Sequence, residues 1–279
     1  RGSPIYSFNK IKKTNIKSLN YLTSAMLLRQ KALTLNKNSE TNMEKIFPYN
    51  SEVEKLFNQA KKFFFASMNG VASEGMSSLG YKLNYGVALP RIKTISMRFE
   101  SNPLLAQRAW WSGIREMMIF ATFNLEKDLN KNSFTTSDLD EWCKKLTNLE
   151  LCEQFSKNFL SKVKPNEKVN LHSEDFSHYL ICKEARNEYH AALGYINLTN
   201  LMLQGVKLNN QKLLLQKMEE DAESPLYNIY STVCRCAKMV ARENPDEVKN
   251  FLKNIQNKKG AGIKIICDEV GAELSYFHS

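Results

Sequence analysis

The chain has 279 residues, 43% of them hydrophobic and 24% charged, with 11 Gly, 7 Pro, six Cys and a formal net charge of +10. Nowhere does an apolar run approach the roughly 20 residues of a membrane span, and so few turn residues favour long helices over many short strands. The expectation is a soluble, cytoplasmic, all-α protein, and its charge is uneven: residues 1–42 hold eight Lys/Arg against Glu40 alone, whereas residues 43–279 hold 31 basic against 28 acidic side chains. Net basicity therefore says little about nucleic-acid binding by the folded body.

The chain opens on a basic leader, residues 1–42. Arg1-Gly2-Ser3 resembles a cloning scar, and Met43 precedes a clean helical start. The leader is read as an upstream or cloning-derived, disordered extension, with a targeting leader as the alternative. Residues 43–279 are read as a single helical-repeat domain. Capping side chains before a Pro recur at Asn102-Pro103, Ser224-Pro225 and Asn244-Pro245, and Ser137-Asp138 resembles a capping box. Between these starts the apolar residues keep a helical period, as in Leu104, Leu105, Ala109, Ile114, Met117, Met118 and Ala121. Helices are expected over 51–68, 71–80, 87–99, 103–126, 137–146, 150–163, 174–204, 209–222, 225–243, 245–257 and 263–274. Short loops between them imply antiparallel helix pairs stacked in an array.

The cysteines form no CxxC pair, and their scatter through apolar segments suits buried thiols in a reducing compartment. Cys234-Arg235-Cys236 lacks further ligands at a metal-binding spacing, so no metal site is expected. Basic residues do recur at a fixed spacing. Lys183, Arg186 and His190 stand at i, i+3 and i+7; Arg235, Lys238 and Arg242 repeat this 52 residues later, and Arg108, Trp111 and Arg115 share it. On a helix such positions lie on one face. The stripes line one basic surface if the pairs stack in register, or they are ordinary solvated outer faces.

Two stretches carry a resemblance. The first runs from Met68-Asn69-Gly70-Val71 through Tyr85-Gly86-Val87-Ala88-Leu89-Pro90-Arg91 to Leu105-Ala106-Gln107-Arg108-Ala109-Trp110-Trp111, ending Ile114-Arg115-Glu116. The second runs from Asp138-Leu139-Asp140-Glu141-Trp142 to Asn148-Leu149-Glu150-Leu151-Cys152-Glu153. Their order resembles the DNA alkylation-repair family, the AlkD-like DNA glycosylases built from HEAT-like repeats, over about residues 51–258. The resemblance implies a curved solenoid of HEAT-like antiparallel helix pairs. It also implies cleavage, without metal or cofactor, of the N-glycosidic bond of cationic alkylated purines held on the concave face. In that chemistry a carboxylate steadies the positive sugar, aromatic rings hold the cationic base, and basic residues neutralise phosphates.

By the resemblance, the family's catalytic Asp falls on Glu153, an aromatic four residues earlier falls on Leu149, and a later tryptophan falls on Arg235. The expected site is thus Glu153 as catalytic carboxylate, with Arg108, Arg115, Arg186, His190, Arg235, Lys238 and Arg242 on duplex DNA. Arg115 and Glu116 are alternatively a structural ion pair, and of Trp110 and Trp111 at most one faces a groove. The competing expectation is a non-catalytic helical-repeat module that binds nucleic acid or a protein partner.

Overall fold

Asparagine side chains begin many of the helices. Asn50 accepts from the Glu52 and Val53 amides, Asn69 from Ala72, Asn102 from Leu105 and Asn148 from Glu150, each satisfying N–H groups that a first turn leaves without a partner. In the computed structural model the described residues are 49–125, 136–163, 172–184 and 186–278, so the leader lies outside them. They form thirteen α-helices: α1 (Ser51–Phe65), α2 (Gly70–Ser78), α3 (Leu89–Ser96), α4 (Pro103–Trp110), α5 (Arg115–Asn124), α6 (Thr136–Cys143), α7 (Leu149–Asn158), α8 (Ser173–Cys182), α9 (Glu188–Leu203), α10 (Gln211–Asp221), α11 (Tyr227–Glu243), α12 (Pro245–Ile255) and α13 (Ile263–His278). Among the described residues there is no strand, only an isolated bridge between Leu83 and Ile114.

Two long helices expected from the periodicity are each broken in two. The segment 103–126 stops at Trp110 and restarts at Arg115, because Gly113 adopts φ +68 and Ile114 is extended. Side chains rarely tolerate that left-handed backbone, and glycine does. The segment 174–204 breaks after Cys182, where Lys183 is extended, and restarts behind a capping box. There Asn187 Oδ1 accepts from the His190 amide at 2.9 Å, and His190 Nδ1 accepts from the Asn187 amide at 3.1 Å. The array start also shifts at Ser224-Pro225: Ser224 Oγ accepts from the Leu226 amide, and α11 begins at Tyr227.

Helices pair as α4/α5, α8/α9, α10/α11 and α12/α13, and the pairs stack in two rows. One row runs α3, α5, α7, α9, α11, α13; the other includes α8, α10 and α12. Two apolar clusters hold them together. The first, rich in aromatics, includes Phe64, Phe120 and Phe155, with Trp110 stacked on Trp142 at 4.8 Å; the second is mostly aliphatic, around Leu214, Val233, Val240 and Ile266. Helix α9 joins them, giving Leu193 and Ile196 to one and Ala191, Tyr195 and Leu198 to the other. A helix apolar on all sides has to be interior, and α9 is buried from His190 to Thr199.

Candidate nucleic-acid interface

The helix breaks decide which basic stripes exist. Arg108 lies on α4 and Arg115 on α5, with the Gly113 turn between them. Lys183 and Arg186 lie in the break before α9, which carries His190. Only Arg235, Lys238 and Arg242 share one continuous helix, α11. Of three expected stripes, one is a helix face.

Arg115 is a correction to the expected phosphate contacts, because it is interior. Its side chain is 1% exposed and its donors are all directed inward: Nη1 to the Val87 carbonyl at 2.9 Å and to Glu116 Oε1 at 3.0 Å, Nε and Nη2 to Glu150 at 2.8 and 2.5 Å. Tyr81 Oη donates to the same Glu150 at 2.7 Å. Glu116, fully buried, accepts from the backbone amides of Tyr85 and Val87. Burial alone would lower the Arg115 pKa, but the hydrogen bonds and charges of Glu150 and Glu116 outweigh it and raise it, so the guanidinium stays charged. Arg115 and Glu116 therefore pin the Tyr85-Gly86-Val87 turn. Gly86 is required there, since it has φ +67 and a Cβ would lie 2.3 Å from the Asn69 carbonyl oxygen.

His190 is a second correction. It is 3% exposed and closes the α9 capping box through Nδ1. Burial, with the Lys183 charge, lowers its pKa to about 4, so at neutral pH it carries no charge to offer a phosphate. Arg186 is largely buried as well, donating to the Ile181 carbonyl at the end of α8 and to Asp221 on α10. Arg108 is half-exposed but engaged with Glu54 of α1 and lies over the Phe57 ring at 4.0 Å. Trp110 is fully buried, donating Nε1 to the Trp142 carbonyl, and Leu149 leans on the first apolar cluster.

The two positions that the resemblance places at a catalytic centre do meet. Arg235 Nη1 on α11 donates to Glu153 Oε1 on α7 at 2.8 Å, across the intervening α9, with roughly half of each side chain in solvent. Beside them, Asn228 on α11 donates to Glu188 on α9 at 2.7 Å. Further along α11, Lys238 donates to Glu269 and Arg242 to Glu273 at 2.7 Å, both acids on α13. The three cations of the stripe thus face three carboxylates. Glu153, Glu269 and Glu273 were not all foreseeable: spacing on α11 is legible in sequence, but the neighbour that answers it is not.

Among the described residues, no group of three or more His, Cys, Asp or Glu is placed to hold a metal ion. Cys234 and Cys236 are buried, and burial pushes both thiols up to about 12, which makes them poor nucleophiles and poor metal ligands. No described helix is long and apolar enough to cross a membrane.

Comparison with known proteins agrees with this geometry at the level of fold and family. A solved structure with a TM-score of 0.63 and 15% identity covers 79% of this chain and 94% of its own. It is described as belonging to a new family of proteins related to the HEAT-like repeat DNA glycosylases with affinity for branched DNA structures. No curated protein matches the chain. The family described as DNA alkylation repair enzyme matches residues 72–263, well over half of the chain, and takes in both the Arg115 network and the α11 stripe. The all-α stack of paired helices is a HEAT-like repeat fold, and the chain belongs to the DNA alkylation repair enzyme family.

Proposed function

We propose that this family member binds DNA by its phosphate backbone, through Arg235, Lys238 and Arg242 on the exposed face of α11. The observation that carries this reading is the single continuous cationic stripe, with side chains 48%, 29% and 42% exposed, on the row that also holds Glu153. Exposed ion pairs are weak, on the order of 0–1 kcal/mol each, and are screened by salt. A phosphate strand is a strong enough competitor to take over such cations.

In this reading Glu153 does not drive base excision. Its carboxylate is matched by the Arg235 guanidinium, which offsets the negative charge that would steady a developing sugar cation, and Leu149 supplies no aromatic face for a cationic base. Excision is the second reading, favoured by one observation: Glu153 is reachable from solvent beside the stripe.

Full-length protein titrated into labelled duplex and four-way-junction oligonucleotides is expected to bind both more weakly as salt rises. Release of methylated purines from alkylated duplex is expected not to exceed that of Glu153→Gln. Release well above that variant would select the excision reading, and absence of binding to either DNA at low salt would overturn the DNA-binding one.

A further inference from the structure

Helix α13 presents a row of acids to the same cations that the proposed function assigns to DNA. Lys238 and Arg242 are four residues apart on α11, and so are Glu269 and Glu273 on α13. Both pairs join residues 31 apart in sequence, so α11 and α13 run parallel with the two ladders in register. Four residues of helix rise about 6 Å, so each cation meets its own carboxylate without distortion. Phe277, one further turn along α13, lies under the Arg242 guanidinium at 4.7 Å.

The Lys238–Glu269 pair is superficial and the Arg242–Glu273 pair is exposed chiefly on its arginine side, while the helix beneath them is fixed. Ile266, Val270 and Leu274 anchor α13 in the second apolar cluster, whereas the Glu269 side chain is 51% exposed and Lys238 is 29% exposed. Lys238 lowers the Glu269 pKa and Glu269 raises that of Lys238, so both stay charged and each holds the other. Carboxylates and phosphates compete for the same donors with the same sign of charge.

We infer that Glu269 and Glu273 of α13 are an intramolecular stand-in for two backbone phosphates, which DNA has to displace from Lys238 and Arg242, and that they hold the DNA affinity of the α11 stripe down. This rests on the proposed DNA-binding reading. The acids act as affinity-setting residues, and need not touch DNA. When DNA takes the cations, the released carboxylates gather salt cations, which offsets part of the counterion release from the DNA.

The test is a set of fluorescence-anisotropy titrations of a four-way junction and a duplex across a salt series, with wild type, E269Q/E273Q and the same double variant carrying K238Q/R242Q. Removing both acids is expected to tighten binding about tenfold or more at moderate salt, and to steepen the slope of log affinity against log salt by up to about 2. The gain should vanish when K238Q/R242Q is added. E269Q alone, at the more exposed position, should give a smaller gain and serves if the double variant does not fold, as judged by its thermal melt. Unchanged affinity and slope in variants of a wild type that does bind would overturn the stand-in and leave the DNA-binding reading intact. A gain that persists without Lys238 and Arg242 would overturn it too. No binding by wild type to either DNA at low salt would overturn the DNA-binding reading, and the stand-in that rests on it with it.

Discussion

Arg115 meets Glu116 and Glu150 in the interior of the first apolar cluster, whereas Arg235 meets Glu153 with about half of each side chain in water. The chemistry is the same and the consequences differ. The interior guanidinium has its hydrogen bonds satisfied by two carboxylates and a carbonyl, so losing it leaves buried acceptors and uncompensated charge. The surface pair has lost little hydration and gained little, which is what allows a phosphate to replace one partner. One network holds a turn in place; the other is available for exchange.

The difference predicts a steep gradient of stability effects. Arg115→Ala should destabilise the protein by about 3 kcal/mol, read from denaturant midpoints, because fully buried Glu116 is left without its cation and the partly covered Glu150 keeps only the Tyr81 hydroxyl. An effect below about 1 kcal/mol would place Arg115 among the surface pairs. Gly86→Ala, in the turn that the Arg115 network pins, should cost up to about 3 kcal/mol, since the added Cβ meets the Asn69 carbonyl at a positive φ.

His190 supplies a prediction in pH. Its folded pKa, about 4, lies below the ordinary histidine value, so between roughly pH 6.5 and 4 the unfolded chain binds the extra proton and stability falls as pH falls. The loss should approach about 3 kcal/mol by pH 4, read from urea unfolding along a pH series. His190→Gln should flatten that slope, and an unchanged slope would mean that folding does not lower the imidazole pKa. At the small end, Glu153→Gln should alter stability by less than about 1 kcal/mol, because it breaks only an exposed pair.

The helices were legible in sequence because apolar period and asparagine caps act locally. Asn102-Pro103 and Asn244-Pro245 mark true starts at α4 and α12. The breaks were less legible. Across Gly113 and across Lys183 to Asn187 the apolar pattern runs on, so a window of sequence reads one helix where the backbone turns. That error created two of the three basic stripes. Arg115 illustrates a second limit: by spacing it matches Arg242, and partners far off in sequence, Val87 and Glu150 among them, make it interior. The α11 stripe was visible from its own helix. Its answer in Glu269 and Glu273 carried a signal, the matching four-residue step, but sequence does not say which helix lies alongside.

The most direct measurement of the exchangeable half of this comparison is the DNA affinity of R235Q/K238Q/R242Q against wild type over a salt series. The expected result is an affinity loss on the order of tenfold or more at low salt, a flatter salt dependence, and a thermal midpoint close to that of wild type. Equal affinity at every salt concentration, with wild type binding, would contradict it and move the DNA contact off α11.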